Sequence, residues 1–257
     1  MLNFRNTNII FLLLVFLLLA LKTATLIPAW YFVLLFAGYL VILSLGSYYV
    51  GSNFFMEVIC SGVGPGKKIA LTFDDGPAEN YTPAIIDLLK KHQVHAAFFC
   101  IGKRICGNEN IIQSLVENGH LVGNHSYSHS WFFDFFSRRK MLSDLKKMDE
   151  GLQKSTGKRP LFFRPPYGVT TPAMKQVMKT GKYTAIGWNV RSFDTVIKDE
   201  NKLYKRVVSA IKPGAIILFH DTSETTLNIL PALINYAVDN GYTFERLDKL
   251  LKREAYA

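Results

Sequence analysis

The sequence predicts an α/β protein with a parallel sheet, open or closed into a barrel, preceded by a hydrophobic region. From residue 68 onward, short apolar segments typical of strands alternate with segments of helical periodicity. This alternation indicates repeated βα units and hence a parallel sheet. Before residue 51, two long apolar segments carry only two charged side chains, Arg5 and Lys22. Segments of this kind are typical of membrane-spanning helices.

The hydrophobic region divides at Pro28. Residues 9–21 are apolar without interruption, and residues 29–50 form 22 positions without a charge. The second segment is long enough to cross the hydrocarbon core of a bilayer. Its ends carry aromatic residues that fit the membrane–water interfaces, namely Trp30, Tyr31, Tyr48 and Tyr49.

The first apolar segment has two interpretations, a second span or the core of a signal peptide behind Arg5. No small-x-small cleavage site follows it. We therefore predict a transmembrane hairpin in residues 1–50, with helices over about 8–27 and 29–50. The expected location is a membrane, in a bacterium the cytoplasmic membrane.

The side of the membrane on which the following domain lies is weakly specified. Three basic residues, Arg5, Lys67 and Lys68, flank the open end of the hairpin, whereas its loop carries only Lys22. Because basic residues favour the cytoplasmic side, this difference favours cytoplasmic termini. A large domain can cross the membrane regardless of such charges. Both sides therefore stay open.

The charge balance is basic, with 30 Lys and Arg against 20 Asp and Glu. Nearly all of this excess lies beyond residue 60. It fits an anionic neighbour, such as lipid head groups or an acidic glycan, and equally a solvated lysine-rich surface. No basic motif is interleaved with aromatic residues, so nucleic acid is not an expected partner. The three cysteines lack framework spacing, which argues against a disulfide-stapled secreted domain.

Residues 51–67 are rich in glycine and are predicted to be a linker, so the main domain is expected over 68–257. Strands are predicted over residues 69–73, 96–101, 121–124, 161–164, 184–188, 215–219 and 243–247. Helices are predicted over residues 82–92, 110–118, 137–155, 172–180, 203–211 and 227–240. Several of these helices are followed by a glycine, as helix C-termini often are; these are Gly119, Gly157, Gly181 and Gly241.

Four of the predicted strands end in polar residues that are costly to bury without partners. They are Asp74 and Asp75, then His125 and His129, then Arg164, and finally His220. The carboxyl ends of strands in a parallel βα array lie on one face. We therefore expect these side chains to converge in one site.

The residue types indicate metal-assisted acid–base chemistry. Two histidines four residues apart reach one cation if their segment is helical, and one carboxylate completes an open, zinc-like ligand set. Neighbouring residues at a strand end point apart, so one of Asp74 and Asp75 binds the metal and the other faces the substrate. Arg164 is suited to hold a carboxylate ionised, and His220 to donate a proton.

Four stretches resemble successive motifs of the NodB-homology polysaccharide deacetylases, carbohydrate esterase family 4, in the order of that family. They are Thr72-Phe73-Asp74-Asp75-Gly76-Pro77, the His125–His129 pair, Arg164-Pro165-Pro166-Tyr167 and Leu218-Phe219-His220. The resemblance covers about residues 66–250. It implies a distorted (β/α)7 barrel, NodB-like, after the predicted transmembrane hairpin.

The resemblance also implies a role for each matching position. Asp74 matches the general base, Arg164 the residue that orients it, and His220 the general acid. The metal triad is matched by Asp75, His125 and His129, and zinc is the metal expected first, with cobalt, nickel or manganese as alternatives. Tyr167 matches the position whose backbone N–H holds the oxyanion, Leu218 a wall of the acetyl pocket, and Asp194 the acid that partners the catalytic histidine.

The fourth motif departs from the family pattern Asp-x-x-Asp-Trp. Arg191 stands in place of the first acid and Thr195 in place of the tryptophan, while Asp194 is retained. One wall of the groove is therefore altered and reversed in charge. Arg191 is expected either to meet an anionic group of the ligand or to pair with Asp194.

The leading functional prediction is a membrane-anchored deacetylase of an N-acetylated, peptidoglycan- or chitin-like glycan. One alternative is a deacylase or deformylase of a lipid-linked sugar, and another is an O-acetyl esterase. From a different class, a glycan-binding protein would use the barrel mouth as a cleft. The presence of a base–acid pair, Asp74 and His220, in this sequence counts against a glycan-binding protein, because binding alone needs neither a base nor an acid.

Two further features are assigned structural roles. The aromatic run over residues 131–136 is expected to pack in the core rather than to form a lip that contacts sugar or membrane. His92, His95 and His120 are expected to be structural or exposed.

Overall fold

The computed structural model describes residues 2–24 and 27–257. Its helices and strands are, in chain order, α1 (Phe4–Ala24), α2 (Trp30–Tyr48), β1 (Lys68–Asp74), α3 (Thr82–Lys91), β2 (Ala97–Cys100), α4 (Gly102–Ile105), α5 (Glu109–Glu117), β3 (Leu121–Asn124), α6 (Arg138–Thr156), β4 (Phe162–Phe163), α7 (Pro172–Gly181), β5 (Thr184–Ala185), β6 (Val190–Arg191), α8 (Glu200–Ala210), β7 (Ile216–His220), α9 (Glu224–Asp239), β8 (Thr243–Phe244) and α10 (Leu247–Leu251).

Helices α1 and α2 pack together as a hairpin. The Phe11 ring stacks on that of Tyr39 at 4.2 Å, and the Tyr39 hydroxyl donates to Oδ1 of Asn8 at 2.8 Å. Each helix is about 30 Å long, from a rise of about 1.5 Å per residue. Both are long and apolar enough to cross a membrane, and their apolar stretches are almost entirely exposed. The first helix starts earlier than predicted, and positions 25 and 26 of the predicted 8–27 helix lie outside the described residues.

The sheet is wholly parallel, in the order β5-β4-β3-β2-β1-β7-β6, and β8 pairs with the start of β1. Ile59 pairs with Ile186 beside β5, and Ser61 pairs with Ala215 beside β7. The chain before β1 therefore links the two sides of a curled, incomplete barrel. The predicted fold class, a distorted (β/α)7 barrel behind two apolar helices, is confirmed.

The sequence prediction missed β6, α4 and α10. Strand β6 has two residues and pairs with β7, so it is too short to show a period of two. Helix α4 has four residues. The segment predicted as a strand through 247 is extended only over Thr243–Phe244, and α10 begins at Leu247.

The alternation of side chains along β1 directs Asp74 into the barrel. Leu71 and Phe73 belong to the cluster that packs under the helices, whereas Ala70 belongs to the cluster inside the barrel. Since strand side chains alternate between faces, Thr72 and Asp74 lie on the inward side with Ala70. A buried apolar strand thereby ends in an inward-pointing carboxylate.

Aromatic packing fills the barrel below the site. The guanidinium carbon of Arg164 lies 4.1 Å from the centroid of the Phe99 ring. Gly123 on the neighbouring strand makes room for that ring, because a Cβ at Gly123 would lie 2.6 Å from it. Phe99 is thus a rigid floor for the charged groups above it.

Several helix ends follow local sequence signals. The helices α6 to α9 begin at capping side chains, namely Ser137, Thr171, Asp199 and Ser223. Gly157 ends α6 at a φ of 71°, as predicted. The left-handed residue after α7 is Lys182 rather than Gly181. Gly181 is needed for close packing instead, because a Cβ there would overlap the Tyr183 ring.

The segment predicted as a linker, residues 51–67, is packed rather than free over its first half. Phe54, Phe55, Met56 and Val58 are buried. A Cβ at Gly46 of α2 would overlap the Phe54 ring. The linker prediction fits only the exposed stretch over residues 63–67. The packed first half instead docks the hairpin on the barrel.

Candidate active site

The polar side chains predicted to converge meet at the carboxyl edge of the sheet. Asp74 at the end of β1 lies opposite His220 at the end of β7. Asn124 at the end of β3 lies opposite Phe163 of β4. The next residues along the chain, His125 and Arg164, are consequently neighbours, and the strand register assembles the site.

Asp75, His125 and His129 form a group able to hold a metal ion. Oδ1 of Asp75 lies 3.5 Å from Nε2 of His125 and 3.3 Å from Nε2 of His129. All three ligand atoms lie within 4.8 Å of one another. Two imidazoles and one carboxylate on one side of a site leave positions for water and substrate, as in catalytic zinc centres.

Both histidines turn Nε2 towards Asp75 in this group. Nδ1 of His125 lies 2.9 Å from the carbonyl oxygen of Arg164. Because a carbonyl only accepts, Nδ1 carries a proton, and Nε2 is the ring nitrogen that would bind a metal. Burial and the neighbouring His125 lower the pKa of His129 to about 4, against the opposite effect of Asp75. His129 is therefore uncharged at neutral pH.

The histidine segment is a bend and not the helical turn on which the spacing argument depended. Ser126 and His129 have φ angles of 63° and 44°. Oδ1 of Asn124 accepts the N–H of Ser126 at 2.8 Å, and Oγ of Ser126 accepts the N–H of His129 at 2.9 Å. These bonds fold the loop so that the two imidazole centroids lie 5.0 Å apart. Left-handed non-glycine residues of this kind are frequent at functional sites.

Asp74 and Arg164 form a buried ion pair beside the metal-ligand group. Nη1 of Arg164 donates to Oδ1 of Asp74 at 2.7 Å, and Nη2 donates to the carbonyl oxygen of Gly187 at 2.9 Å. Burial lowers the pKa of Arg164, and the charge of Asp74 opposes that shift. The second carboxylate oxygen of Asp74 lies 3.9 Å from Nε2 of His125, which leaves it facing the space between the pair and the histidines.

His220 and Asp194 form a second polar pair at the end of β7. Nδ1 of His220 lies 2.8 Å from Oδ1 of Asp194, and the hydroxyl of Thr226 donates to Oδ2 of the same carboxylate at 2.5 Å. Burial disfavours the charged imidazole. The hydrogen bond and charge of Asp194 outweigh burial, and with Asp74 and Asp75 they raise the pKa of His220 to about 9. His220 is thus protonated at neutral pH.

Tyr167 and Leu218 lie around this centre. Tyr167 has a φ of 60° and donates its hydroxyl to the carbonyl oxygen of His129 at 3.3 Å. The two hydrogen bonds of its turn are donated by Gly168 and Val169, so neither uses the N–H of Tyr167. Leu218 is buried on β7, two residues before His220.

The aromatic run predicted to pack in the core is mostly exposed. Phe133 is buried, whereas Trp131, Phe132 and Phe135 are 82%, 70% and 86% exposed. The core prediction is wrong for these three, because the run is a loop with a short 3₁₀ turn that buries one ring. The Trp131 ring stacks on that of Tyr167 at 5.3 Å. Trp131 and Tyr167 therefore form an aromatic wall beside the metal-ligand group.

Arg191 does not pair with Asp194. Asp194 is buried against His220, while Arg191 is exposed. The Arg191 guanidinium lies 4.6 Å from the Phe193 ring centroid and 5.7 Å from that of Trp188. Of the two sequence-based alternatives, only contact with a ligand anion is left open.

Two supporting residues, Arg104 and Asp221, were given no role by the sequence reasoning. Nη1 of Arg104 donates to the carbonyl oxygen of Asp75 at 2.7 Å. Asp221 is fully buried, accepts the Thr82 hydroxyl at 2.6 Å, and has its pKa raised to about 7 by burial. Asp221 directly follows His220 and was detectable as a second strand-end carboxylate. Arg104 comes from a separate element, and no local signal marks it.

The three histidines set aside in the sequence lie apart from this centre. Nδ1 of His120 accepts the N–H of Ala96 at 3.2 Å, and burial lowers the pKa of His120 to about 4. His95 lies against His120, with ring centroids 6.1 Å apart. His92 ends α3. Their predicted structural roles agree with these positions.

Comparison with known proteins identifies several relatives that are named peptidoglycan deacetylases. A family profile described as polysaccharide deacetylase matches residues 61–186. The peptidoglycan-N-acetylglucosamine deacetylase PgdA of Listeria monocytogenes is 34% identical over 184 residues, which are 72% of this chain and 39% of PgdA. The chain therefore spans less than half the length of that relative.

Two other relatives are matched over most of their length. The peptidoglycan-N-acetylmuramic acid deacetylase PdaA of Bacillus subtilis is 33% identical over 191 residues, 72% of this chain and 72% of PdaA. The solved structure of the peptidoglycan N-acetylglucosamine deacetylase Bc1960 has a TM-score of 0.74 at 28% identity, and the match covers 78% of this chain and 95% of that one. Two different amino sugars thus appear in the names of these relatives.

Proposed function

Because this chain belongs to the polysaccharide deacetylase family, we propose that it is a membrane-anchored, metal-dependent hydrolase of N-acetyl groups on an amino-sugar glycan. The substrate class is a peptidoglycan- or chitin-like polymer or oligomer. The observation that carries the proposal is that Asp75, His125 and His129 share the carboxyl edge of the sheet with two polar pairs, one buried and one half-buried. One pair, Asp74–Arg164, is suited to accept a proton, and the other, His220–Asp194, to donate one.

The donor set fits a divalent cation, with zinc as the first choice and cobalt, nickel or manganese as alternatives. Asp75, His125 and His129 would hold it, and the second ring nitrogen of His125 is already fixed by the Arg164 carbonyl. When bound, such a cation polarises a carbonyl and lowers the pKa of the attacking water. Arg104 supports the ligand group by holding the backbone of Asp75 in place.

Asp74 is the proposed general base. Its Oδ1 accepts a hydrogen bond from the buried guanidinium of Arg164, and its other carboxylate oxygen faces the metal-ligand group. Water adds to the acetyl carbonyl carbon and Asp74 takes the released proton. The ion pair leaves Asp74 one acceptor oxygen and fixes its direction.

Addition of water gives a tetrahedral adduct, and the remaining groups assist its breakdown to products. The N–H of Tyr167 donates to the oxyanion, and Leu218 bounds the pocket for the acetyl methyl. His220, kept protonated by Asp194, gives its proton to the sugar nitrogen as the carbon–nitrogen bond breaks. The products are acetate and a free amino sugar, and the proton on Asp74 returns to solvent or to His220.

The docked hairpin favours one second candidate, deacylation or deformylation of a lipid-linked sugar. The chain passes from α2 into the packed segment at Phe54 without a free tether, so the barrel is held close to the end of the spans. A substrate whose sugar lies at the membrane surface suits this position. O-acetyl ester hydrolysis would use the same residues but has no separate observation in its favour. Glycan binding without catalysis would give neither polar pair, Asp74–Arg164 or His220–Asp194, a function.

The test is release of acetate from N-acetylchitotetraose and from purified peptidoglycan by the full chain, before and after dialysis against a chelator. We expect acetate release that disappears without metal and returns on adding zinc. Acetate release unaffected by the chelator would overturn metal dependence. Release from neither glycan, with release of an acyl group from a lipid-linked amino sugar, would favour the second candidate.

A further inference from the structure

A groove with a volume of about 1110 Å³ lies on the outside of the barrel, where the barrel meets the hairpin. Lys175 and Lys179 of α7 line one wall, and because they are four residues apart they lie on the same face of that helix. Phe4 and Arg5 of α1 line the other wall. We call this the α7 groove. None of the candidate active-site residues lines it.

The lining of the α7 groove is strongly cationic. Its basic residues are Arg5, Arg138, Lys175, Lys179 and Arg253, against one acid, Glu57. All six are exposed. Among the described residues no hydrogen bond or ion pair is made by any of these charged groups. Five unpaired cations against a single acid raise the local concentration of anions.

The floor of the groove is apolar and rigid. Phe54, Phe55 and Met56 line it and are buried. The Phe4 ring packs on Phe55 at 5.1 Å, and the N–H of Phe4 donates to the carbonyl oxygen of Phe54 at 2.9 Å. The walls are therefore held in place by the hairpin–barrel junction, and the groove is formed before any ligand arrives.

The position of the groove selects among anions. Helix α1 begins at Phe4 and α2 ends at Tyr48, so this end of the hairpin lies at the membrane–water interface if both helices span. Tyr48 and Tyr49 are 65% and 60% exposed there, as aromatic residues at interfaces are. At this depth the abundant anions are lipid phosphates, and an apolar floor beneath cationic walls suits a phosphate that is attached to glycerol and acyl chains.

We propose that the α7 groove binds the phosphate head group of an anionic membrane phospholipid. This inference rests on the membrane anchoring in the proposed function. Binding at this place fixes the barrel against the bilayer surface by a second attachment besides the hairpin. The mouth of the barrel then keeps one orientation towards the membrane.

The test uses the full chain purified in a neutral detergent and titrated with water-soluble dihexanoyl phosphatidylglycerol. Dihexanoyl phosphatidylcholine and inorganic phosphate are the comparison probes. The groove variant is Lys175→Gln/Lys179→Gln/Arg253→Gln. The matched control is Lys202→Gln/Lys205→Gln/Lys212→Gln, which removes the same charge from exposed positions outside the groove.

We expect saturable binding of phosphatidylglycerol, little binding of phosphatidylcholine, and a loss of affinity of about tenfold or more in the groove variant only. Equal weakening in both triple variants would reduce the effect to net charge and overturn the proposal. If inorganic phosphate occupied the groove with the same affinity as phosphatidylglycerol, the ligand would be free phosphate and not a lipid head group, and the proposal would be overturned. Absence of phosphatidylglycerol binding in the parent chain would overturn it outright.

Acetate release from purified peptidoglycan and from the soluble substrate N-acetylchitotetraose, measured on the same preparations, separates this inference from the proposed function. Hydrolysis without phosphatidylglycerol binding rejects the lipid site alone. Phosphatidylglycerol binding without hydrolysis rejects the deacetylase proposal alone. The groove variant is expected to hydrolyse this soluble substrate at the parent rate, because no site residue is altered.

Discussion

The Nη1 atom of Arg164 lies 2.7 Å from Oδ1 of Asp74, and the two side chains are 0% and 3% exposed. Burying both charges is costly, and a buried pair of this kind does not by itself add stability. Removing one partner leaves an uncompensated charge. The pair therefore points to a function in which one carboxylate oxygen must be held in a fixed direction.

The first prediction concerns this pair. Asp74→Asn keeps the shape of the side chain but cannot accept a proton from water, so we expect kcat to fall by about 10²–10⁴-fold. Measured as acetate release, the loss should occur with metal still bound by elemental analysis. Asp87→Asn, on a helix outside the barrel interior, is the control and should keep the parent rate. A kcat in Asp74→Asn near that of the parent would contradict the role of base.

The second prediction concerns pH. His220 acts as an acid only when protonated, so activity is present below its pKa, which is raised to about 9, and is lost as the pH rises through it. Asp194→Asn removes the partner that raises this pKa, leaving burial to lower it. We therefore expect the alkaline limb of the kcat profile to move to lower pH.

The control for this shift is Asp199→Asn, since Asp199 is exposed and only caps α8. Its alkaline limb should coincide with that of the parent. An Asp194→Asn enzyme with lower kcat but an unmoved alkaline limb would show that Asp194 has a structural role rather than one in setting the proton affinity of His220.

The third prediction concerns metal content. His125→Ala removes a ligand whose orientation is set by the Arg164 carbonyl, and we expect metal affinity to fall by at least about 10–100-fold. Elemental analysis after dialysis should then find metal in the parent chain and in His92→Ala but little in His125→Ala. Equal metal content in the three proteins would remove His125 from the ligand set.

The fourth prediction concerns the aromatic wall. Trp131 stacks on Tyr167 beside the metal-ligand group, where its exposed face is free to pack on a sugar ring. Trp131→Ala should lower kcat/KM on N-acetylchitotetraose by about threefold to tenfold, mainly through KM. Phe135→Ala removes an equally exposed ring of the same loop and should have little effect. Equal losses in both variants would indicate damage to the loop instead.

The fifth prediction concerns packing in the barrel. Gly123→Ala places a Cβ 2.6 Å from the Phe99 ring and 3.3 Å from the carbonyl oxygen of Phe162, and we expect a loss of about 1–3 kcal/mol in the free energy of unfolding. Gly151→Ala on α6 meets no atom within 4 Å and should stabilise by about 0.5–1 kcal/mol. Thermal unfolding in detergent measures both, and a neutral Gly123→Ala would contradict the tight packing of Phe99.

Local patterns predicted those parts of the fold in which the physical signal is short in range. The apolar run of β1, the glycine that ends α6 and the uncharged length of α2 each depend on neighbours within a few residues. Strand β6 was not predicted because two residues are too few to show the alternation of a strand. The burial of the segment at Phe54 was not predicted because its packing partners lie on other elements, Phe4 on α1 and Gly46 on α2.

The sequence by itself determined which residue types end the strands, and the parallel βα order required them to share one edge of the sheet. Asp74, Asp75, His125, His129, Arg164 and His220 were all identified in this way. Only the tertiary structure decided which oxygen of Asp74 is occupied by Arg164, that the histidines lie on a bend, and that Asp194 meets His220 rather than Arg191. The physical reason is that strand order is encoded locally, whereas pairing of buried charges depends on which side chains the barrel closes around.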